Sequence, residues 1–320
     1  MRRYWRVATL FAAIAFCGST AALAQVTASD SITVTANNQG IFLFSIAQAS
    51  FDFSNERDLA DKLRVALAVQ PAVVAAMANS PVVDGREIGW KSYRVKVWEE
   101  TDPARTGLLA FAFEPSFAEA PYRRYAEWAL DVPMIFVRRG GGYVDPRGRT
   151  FRAFLAEGIE GHRPTLSDWE DHLTTLFPEV RVKGVVEVRG ADACDAALTK
   201  AFLAFWKGVL YDRQARHEAW ETVKGFTVEE RRALMSAAGR EGLGGLAPDG
   251  RRIRDIAQAL LEAASNGLCR QNCCGERGED ERRWLAPLEA RVAEGRSPAD
   301  DALEAFRRGG RALAAHLRVA

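Results

Sequence analysis

Strand-like runs that carry charged residues are interleaved with capped helical segments along this chain, and the two do not alternate one for one. Ile41 to Phe53 crowds apolar, β-branched and aromatic residues together, and Val132 to Arg138 reads as a strand ahead of a Gly140-Gly141-Gly142 hairpin turn. Val182 to Val188 reads as a further strand. Between these runs, Ser54 is placed to cap an amphipathic helix to Val69, ended by Pro71, and Ala72 to Asn79 forms a short apolar helix before Pro81. Ser167-Asp168-Trp169-Glu170 reads as a capping box for a helix to about Leu176, Thr227 and Glu230 as another, and Ser297-Pro298 opens the last clear helix. One long helix is expected from Ala196 to Val223, with Phe202, Phe205, Trp206, Val209 and Leu210 at helical spacing. This order predicts an α+β domain around a twisted, mainly antiparallel sheet with strands near Phe44, Met134 and Val186, and with one sheet edge left exposed.

The sequence has 43 basic and 42 acidic residues, and 48% of it is hydrophobic. That balance supports a large apolar core and gives no basic footprint for nucleic acid. The beginning of the chain differs from the rest. Arg2, Arg3 and Arg6 precede an apolar run from Val7 to Cys17, and Ala22-Leu23-Ala24 forms a small-residue cleavage site. Residues 1–24 therefore read as a signal peptide, too short in its apolar run to span a membrane, followed by a polar linker or frayed strand over 25–40 and a domain over 41–320. Periplasmic or secreted protein is the expectation, or cytoplasmic protein if translation starts elsewhere. Cleavage leaves Cys194, Cys269, Cys273 and Cys274, which suit disulfides in an exported protein or free thiols in a loop. A metal nest at Cys269, Cys273 and Cys274 lacks a clear fourth ligand.

Glu187 and Arg189 fall at i and i+2 of the Val185–Arg189 run, so a strand points both to one face. Taken alone, a carboxylate and a guanidinium side by side on one strand read as a surface ion pair. His172, inside a capped helix after Trp169, reads as a packing residue.

Nine segments in order carry a resemblance to a known family. They are Phe51-Asp52-Phe53-Ser54, Leu67-Ala68-Val69-Gln70-Pro71, Ala78-Asn79-Ser80-Pro81, Thr101-Asp102-Pro103-Ala104-Arg105-Thr106-Gly107 and Ala129-Leu130-Asp131-Val132-Pro133-Met134. There follow Asp168-Trp169-Glu170-Asp171-His172-Leu173-Thr174-Thr175, Phe177-Pro178-Glu179-Val180-Arg181, Glu187-Val188-Arg189-Gly190-Ala191-Asp192 and Ala204-Phe205-Trp206-Lys207-Gly208-Val209-Leu210-Tyr211-Asp212. Together they resemble the C-terminal part of glutamate–cysteine ligases of the plant and alphaproteobacterial type. The resemblance implies a glutamine-synthetase-like carboxylate–amine ligase fold and the first step of glutathione synthesis. In that step ATP phosphorylates the γ-carboxylate of glutamate and the amine of cysteine displaces the phosphate. By similarity Glu187 holds magnesium, Arg189 serves the phosphates as a catalytic and nucleotide-binding residue, Arg94 binds an amino-acid substrate, and Gln48 lines the nucleotide and metal site.

The chain also departs from the family pattern. Ala193-Cys194-Asp195-Ala196-Ala197-Leu198 stands where the family has a Gly-Gly-Pro-Trp-Arg-Arg stretch, and Ile135 where it has a tyrosine. The family's leading portion, with its glutamate cluster for magnesium, has no counterpart in these residues. Ligase activity far below that of a full-length relative is the expectation. The alternative is an exported, non-catalytic relative that keeps part of a small-molecule pocket.

Overall fold

The structure, a computed structural model, describes residues 23–27, 33–37, 46–274 and 278–309. The signal-like segment up to residue 22, Phe44 and the Arg/Gly/Ala-rich end lie outside the described residues. Strands β1 (Leu23–Thr27) and β2 (Thr33–Asn37) pair antiparallel; β1 begins at the end of the expected signal peptide and both run through the stretch expected as a linker or frayed strand. Both are rich in Thr and Val, whose branched side chains favour extended backbone.

β3 (Ile46–Phe51) leads into α1 (Glu56–Ala76), the longest helix described. Asn55, not Ser54, caps α1: its side chain accepts from the Asp58 amide at 3.0 Å, while the Ser54 amide donates to the Asp58 carboxylate. Pro71 does not end the helix but lies inside it. An interior proline costs about 3 kcal/mol. Here Leu67, Ala68 and Val69 before it and Ala72 to Ala76 after it are buried, and each large apolar side chain withdrawn from water contributes about 1.5–3 kcal/mol. Burial wins, so the two helices expected here are one.

The chain then runs through β4 (Val82–Val83), β5 (Arg86–Glu87), α2 (Tyr93–Glu100), β6 (Thr106–Gly107) and α3 (Pro121–Asp131). β7 (Val137–Arg139) and β8 (Gly142–Val144) form the hairpin expected at the triple glycine, but it is a separate two-stranded ribbon. The Met134 region therefore takes no part in the central sheet, and Met134 packs with Phe151 and Phe154 in a small side core. After α4 (Phe151–Glu157) comes α5 (Leu166–Thr174), whose capping box is Thr165 with Asp168 rather than one beginning at Ser167.

The central sheet has the order β10-β11-β3, with β10 (Val180–Val182) and β11 (Val186–Asp192) both following the short β9 (Phe177–Pro178). All its pairings are antiparallel, with Val180 opposite Val188 and Val186 opposite Phe51. The single strand expected over 182–188 is the turn of a hairpin, with Gly184 at φ +67°. β3 is the outer strand of this sheet among the described residues.

The long helix expected after it is two, α6 (Ala196–Tyr211) and α7 (Arg213–Val223), because the Asp212 side chain turns back to cap the second at 2.7 Å. α8 (Val228–Glu241), α9 (Ile253–Gln271), α10 (Ala286–Glu294) and α11 (Pro298–Arg307) complete the fold. The Thr227–Glu230 box and the Ser297 cap form as expected. α1 packs against β11 and against α7, α8 and α9. The main core spans that interface, with Phe202, Phe205, Trp206, Val209 and Leu210 all buried in it. The domain is α+β, and no described helix is long and apolar enough to cross a membrane.

Candidate functional site

β11 points Glu187 and Arg189 to one face, as the period of a strand requires, and both are buried there. Arg181, directly opposite on β10, donates from Nε to Glu187 Oε2 at 2.7 Å. Arg189 Nε lies 3.7 Å from the same oxygen. From β3, Gln48 Nε2 donates to Glu187 Oε1 at 2.8 Å. Three strands thus converge on one carboxylate.

Arg94 reaches this cluster from α2 through Glu179. Its Nη1 lies 3.2 and 3.4 Å from the two Glu179 oxygens, and its guanidinium stacks on the Trp98 ring at 4.6 Å. Glu179 is fixed by its backbone, which donates to the Gly107 carbonyl at 3.0 Å and accepts from the Arg189 amide at 3.1 Å. The α1 residue Gln70 closes the cluster over Gly190, where a Cβ would fall 1.7 Å from Gln70 Nε2 and 2.8 Å from Glu179 Oε2. Only glycine allows that approach.

Three guanidinium groups here face two carboxylates. Not every polar atom is used: the donors Arg94 Nε and Nη2, Arg189 Nε and Nη1 and Gln70 Nε2, and the acceptor Gln70 Oε1, are buried without a hydrogen-bond partner. Burial, and then the nearby Arg181 charge, push the Arg189 pKa down to about 10, so it still carries its charge at neutral pH. Buried guanidinium donors left open are costly unless an anion meets them. Beside the cluster, a cavity of 470 Å³ reaches Glu179 and Trp98, with Leu67, Met235 and the buried Arg231 among its walls. Among the described residues, no three His, Cys, Asp or Glu side chains gather where they could hold a metal ion.

The family model described as glutamate–cysteine ligase family 2 (GCS2) matches residues 40–316. The chain belongs to this glutamate–cysteine ligase family. It is 41% identical over 269 residues to the chloroplastic glutamate–cysteine ligase of Medicago truncatula, covering 83% of this chain and 51% of that protein. Glutamate–cysteine ligase B of Oryza sativa subsp. japonica is 39% identical over the same length, covering 83% of this chain and 52% of its own. The Arabidopsis thaliana enzyme is 39% identical over 262 residues, covering 81% and 48% respectively. The chain spans about half the length of the curated relatives it matches.

Several of the family segments serve the scaffold around this cluster. Arg105 ties three of them together, donating to Asp102 at 2.6 Å, to the Pro133 carbonyl at 2.7 Å and to the Thr175 carbonyl at 3.3 Å. Buried Asp192 accepts from the Asn79 amide, Ser80 and Ser92 at 2.7, 2.8 and 3.1 Å, and burial pushes its pKa up. Asp168 caps its own helix and pairs with Arg139 at 2.7 Å, which holds its pKa down at about 2. His172 packs as expected, stacked on Phe151 with Nε2 2.8 Å from the Ala129 carbonyl. Ile135 is exposed, and Cys194, Cys269, Cys273 and Cys274 are free thiols.

Half-buried Gln48 and the buried Glu187, Arg189 and Arg94 therefore belong to one network. Sequence reasoning did not single out Arg181, Glu179 or Gln70 within it. A signal for the first two was present: Glu-Val-Arg occurs at 179–181 and again at 187–189, across a stretch short enough for a hairpin. In antiparallel strands such a repeat sets each glutamate against the other strand's arginine.

Proposed function

We propose that this chain carries the amino-acid and phosphate-binding face of an ATP-dependent glutamate–cysteine ligase, on a glutamine-synthetase-like fold. One observation carries the reading: Arg94 and Arg189 hold unpaired guanidinium donors in a buried network whose Glu179 borders a cavity of 470 Å³, although neither arginine lines it. Such donors fit a carboxylate or a phosphate, the two anions this reaction must hold. ATP supplies the phosphoryl group that makes the glutamate γ-carboxylate a good acyl donor, which the cysteine amine then captures in an amide bond. Arg94, stacked on Trp98 and braced by Glu179, is suited to grip an amino-acid carboxylate in fixed orientation. Arg189, rigid between its strand and Glu187, is suited to phosphate oxygens, with Gln48 beside it.

Glu187 is already engaged within the network. Both Glu187 oxygens already accept hydrogen bonds, from Gln48 and Arg181, whereas magnesium needs about six oxygens in octahedral array. The described residues do not by themselves make a magnesium site, and no role above depends on one. That same observation favours a second reading, a non-catalytic relative that binds an amino acid without turning it over.

Purified protein given glutamate, cysteine, ATP and magnesium tests both. Formation of γ-glutamylcysteine with matching phosphate release, lost in Arg94→Gln when assayed at a temperature where circular dichroism shows that the variant is folded, supports the ligase. Glutamate binding by calorimetry without product supports the second reading. Neither binding nor product would sink the assignment of this network as a substrate site.

A further inference from the structure

A second cavity, of 370 Å³, lies in the seam between α1 and α7, along a different stretch of α1 from Gln70. Arg57 and Arg64 of α1 and Arg213, Arg216 and His217 of α7 line it, and Asp61 is the one carboxylate among its described walls. Two of these arginines are fixed. Arg64 donates to the Ala112 and Glu114 carbonyls at 2.8 and 3.3 Å, and its guanidinium stacks between the Phe117 and Trp220 rings at 5.8 and 5.9 Å. Arg216 pairs with Asp58 at 3.2 Å and donates to the Leu210 carbonyl. Neither contact involves a group that faces the cavity as an anion. Arg57 and Arg213 are exposed and make no hydrogen bond or ion pair with a described residue.

Four guanidinium groups border one concave space, and Asp61 on its wall together with Asp58, which pairs with Arg216, does not balance them. A concave, low-dielectric wall focuses that field and concentrates anions. The two fixed arginines present their charge without further loss of side-chain freedom, and the two free ones can fold onto a ligand from the rim. The volume lies within the range of small-molecule sites. We propose that this cavity binds a small, multiply charged oxyanion, a phosphate or phosphate ester, separately from the network at Glu187.

Calorimetry with inorganic pyrophosphate at low salt and without magnesium tests the proposal. One saturable site is expected, with affinity falling as salt rises. Arg57→Ala/Arg213→Ala should weaken it at least tenfold, because each lost charge-assisted contact is worth roughly tenfold. Both positions are exposed and unpartnered, so the variant should keep the parent urea midpoint; Arg213→Glu, which reverses the charge, should abolish binding outright. A parallel titration with glucose 6-phosphate distinguishes the source of the phosphate, the tighter ligand identifying an inorganic or an organic one. No saturable binding of either ligand at millimolar concentration, or unchanged affinity in Arg57→Ala/Arg213→Ala, would overturn it.

Discussion

Arg181 and Glu187 are direct cross-strand partners on β10 and β11, joined at 2.7 Å and both shielded from solvent. The hairpin between them turns at Gly184, so six residues of sequence separation bring two charges into contact. Arg189 adds a second positive group 3.7 Å from the same carboxylate. The network at the candidate site is therefore built into the sheet and not hung on loops, which gives its side chains little freedom to relax.

Removing the central carboxylate should be costly. In Glu187→Gln, Arg181 and Arg189 stay buried with no counter-charge at that position, and breaking a buried pair from one side costs about 3–5 kcal/mol. The double variant Glu187→Gln/Arg181→Met should recover a good part of that loss. Urea denaturation of the parent, both single variants and the double variant measures it. A cost under about 1 kcal/mol for Glu187→Gln would mean that water reaches the network.

Gly190 should tolerate no side chain. An alanine Cβ there would stand 1.7 Å from Gln70 Nε2 and 2.6 Å from its Cδ, and Gln70 is buried. Overpacking of this kind costs about 1–3 kcal/mol. Gln70→Ala in the same chain should restore most of the loss, since the Gln70 amide makes no hydrogen bond to forfeit. Thermal melts that show no rescue would place the clash elsewhere, at Glu179.

The cap of α5 can be assigned by substitution. Thr165 Oγ1 accepts from the Asp168 amide at 3.3 Å, and the Asp168 carboxylate accepts in turn from the Thr165 amide at 2.7 Å. Thr165→Ala should cost about 1 kcal/mol. Ser167→Ala should stay within about 0.5 kcal/mol. The reverse order in chemical denaturation would restore the cap expected from sequence.

His172 should make stability depend on pH. Burial lowers its pKa below the usual 6.5. On acidification through 6.5 the unfolded chain takes up a proton that the folded chain refuses, so stability is full above that pH and is lost as pH falls below it. The fall in unfolding free energy between pH 7.5 and 5.5 should be smaller in His172→Gln than in the parent. Equal slopes would show that the imidazole is not buried in its neutral form.

Local chemistry was legible at several points where one residue meets a near neighbour in the chain, although the caps expected at Ser54 and Ser167 form at Asn55 and Thr165. The Thr227–Glu230 box, the Ser297 cap and the shared face of Glu187 and Arg189 depend on spacings of two or three residues, and all form. Misreadings arose where packing outweighs local preference. Pro71 should break a helix in water, yet α1 continues because both of its flanks are buried. Asp212 looked like one more helical residue, but its carboxylate caps the helix that follows. Val182 to Val188 looked like one strand because a glycine turn carries no hydrophobic signature of its own.

By itself the sequence determined the family, the mixed helix-and-sheet composition and the candidate side chains Gln48, Arg94, Glu187 and Arg189. Motifs survive as spacing, and spacing is all a sequence holds. Only the tertiary structure decided that these four belong to one network. Gln48 and Glu187 are 139 residues apart in the chain, and Arg94 and Glu179 are 85 apart. Bringing such groups together and shutting out water is the work of the β10-β11-β3 sheet against α1 and α2, and burial of that kind arises only when the whole core packs.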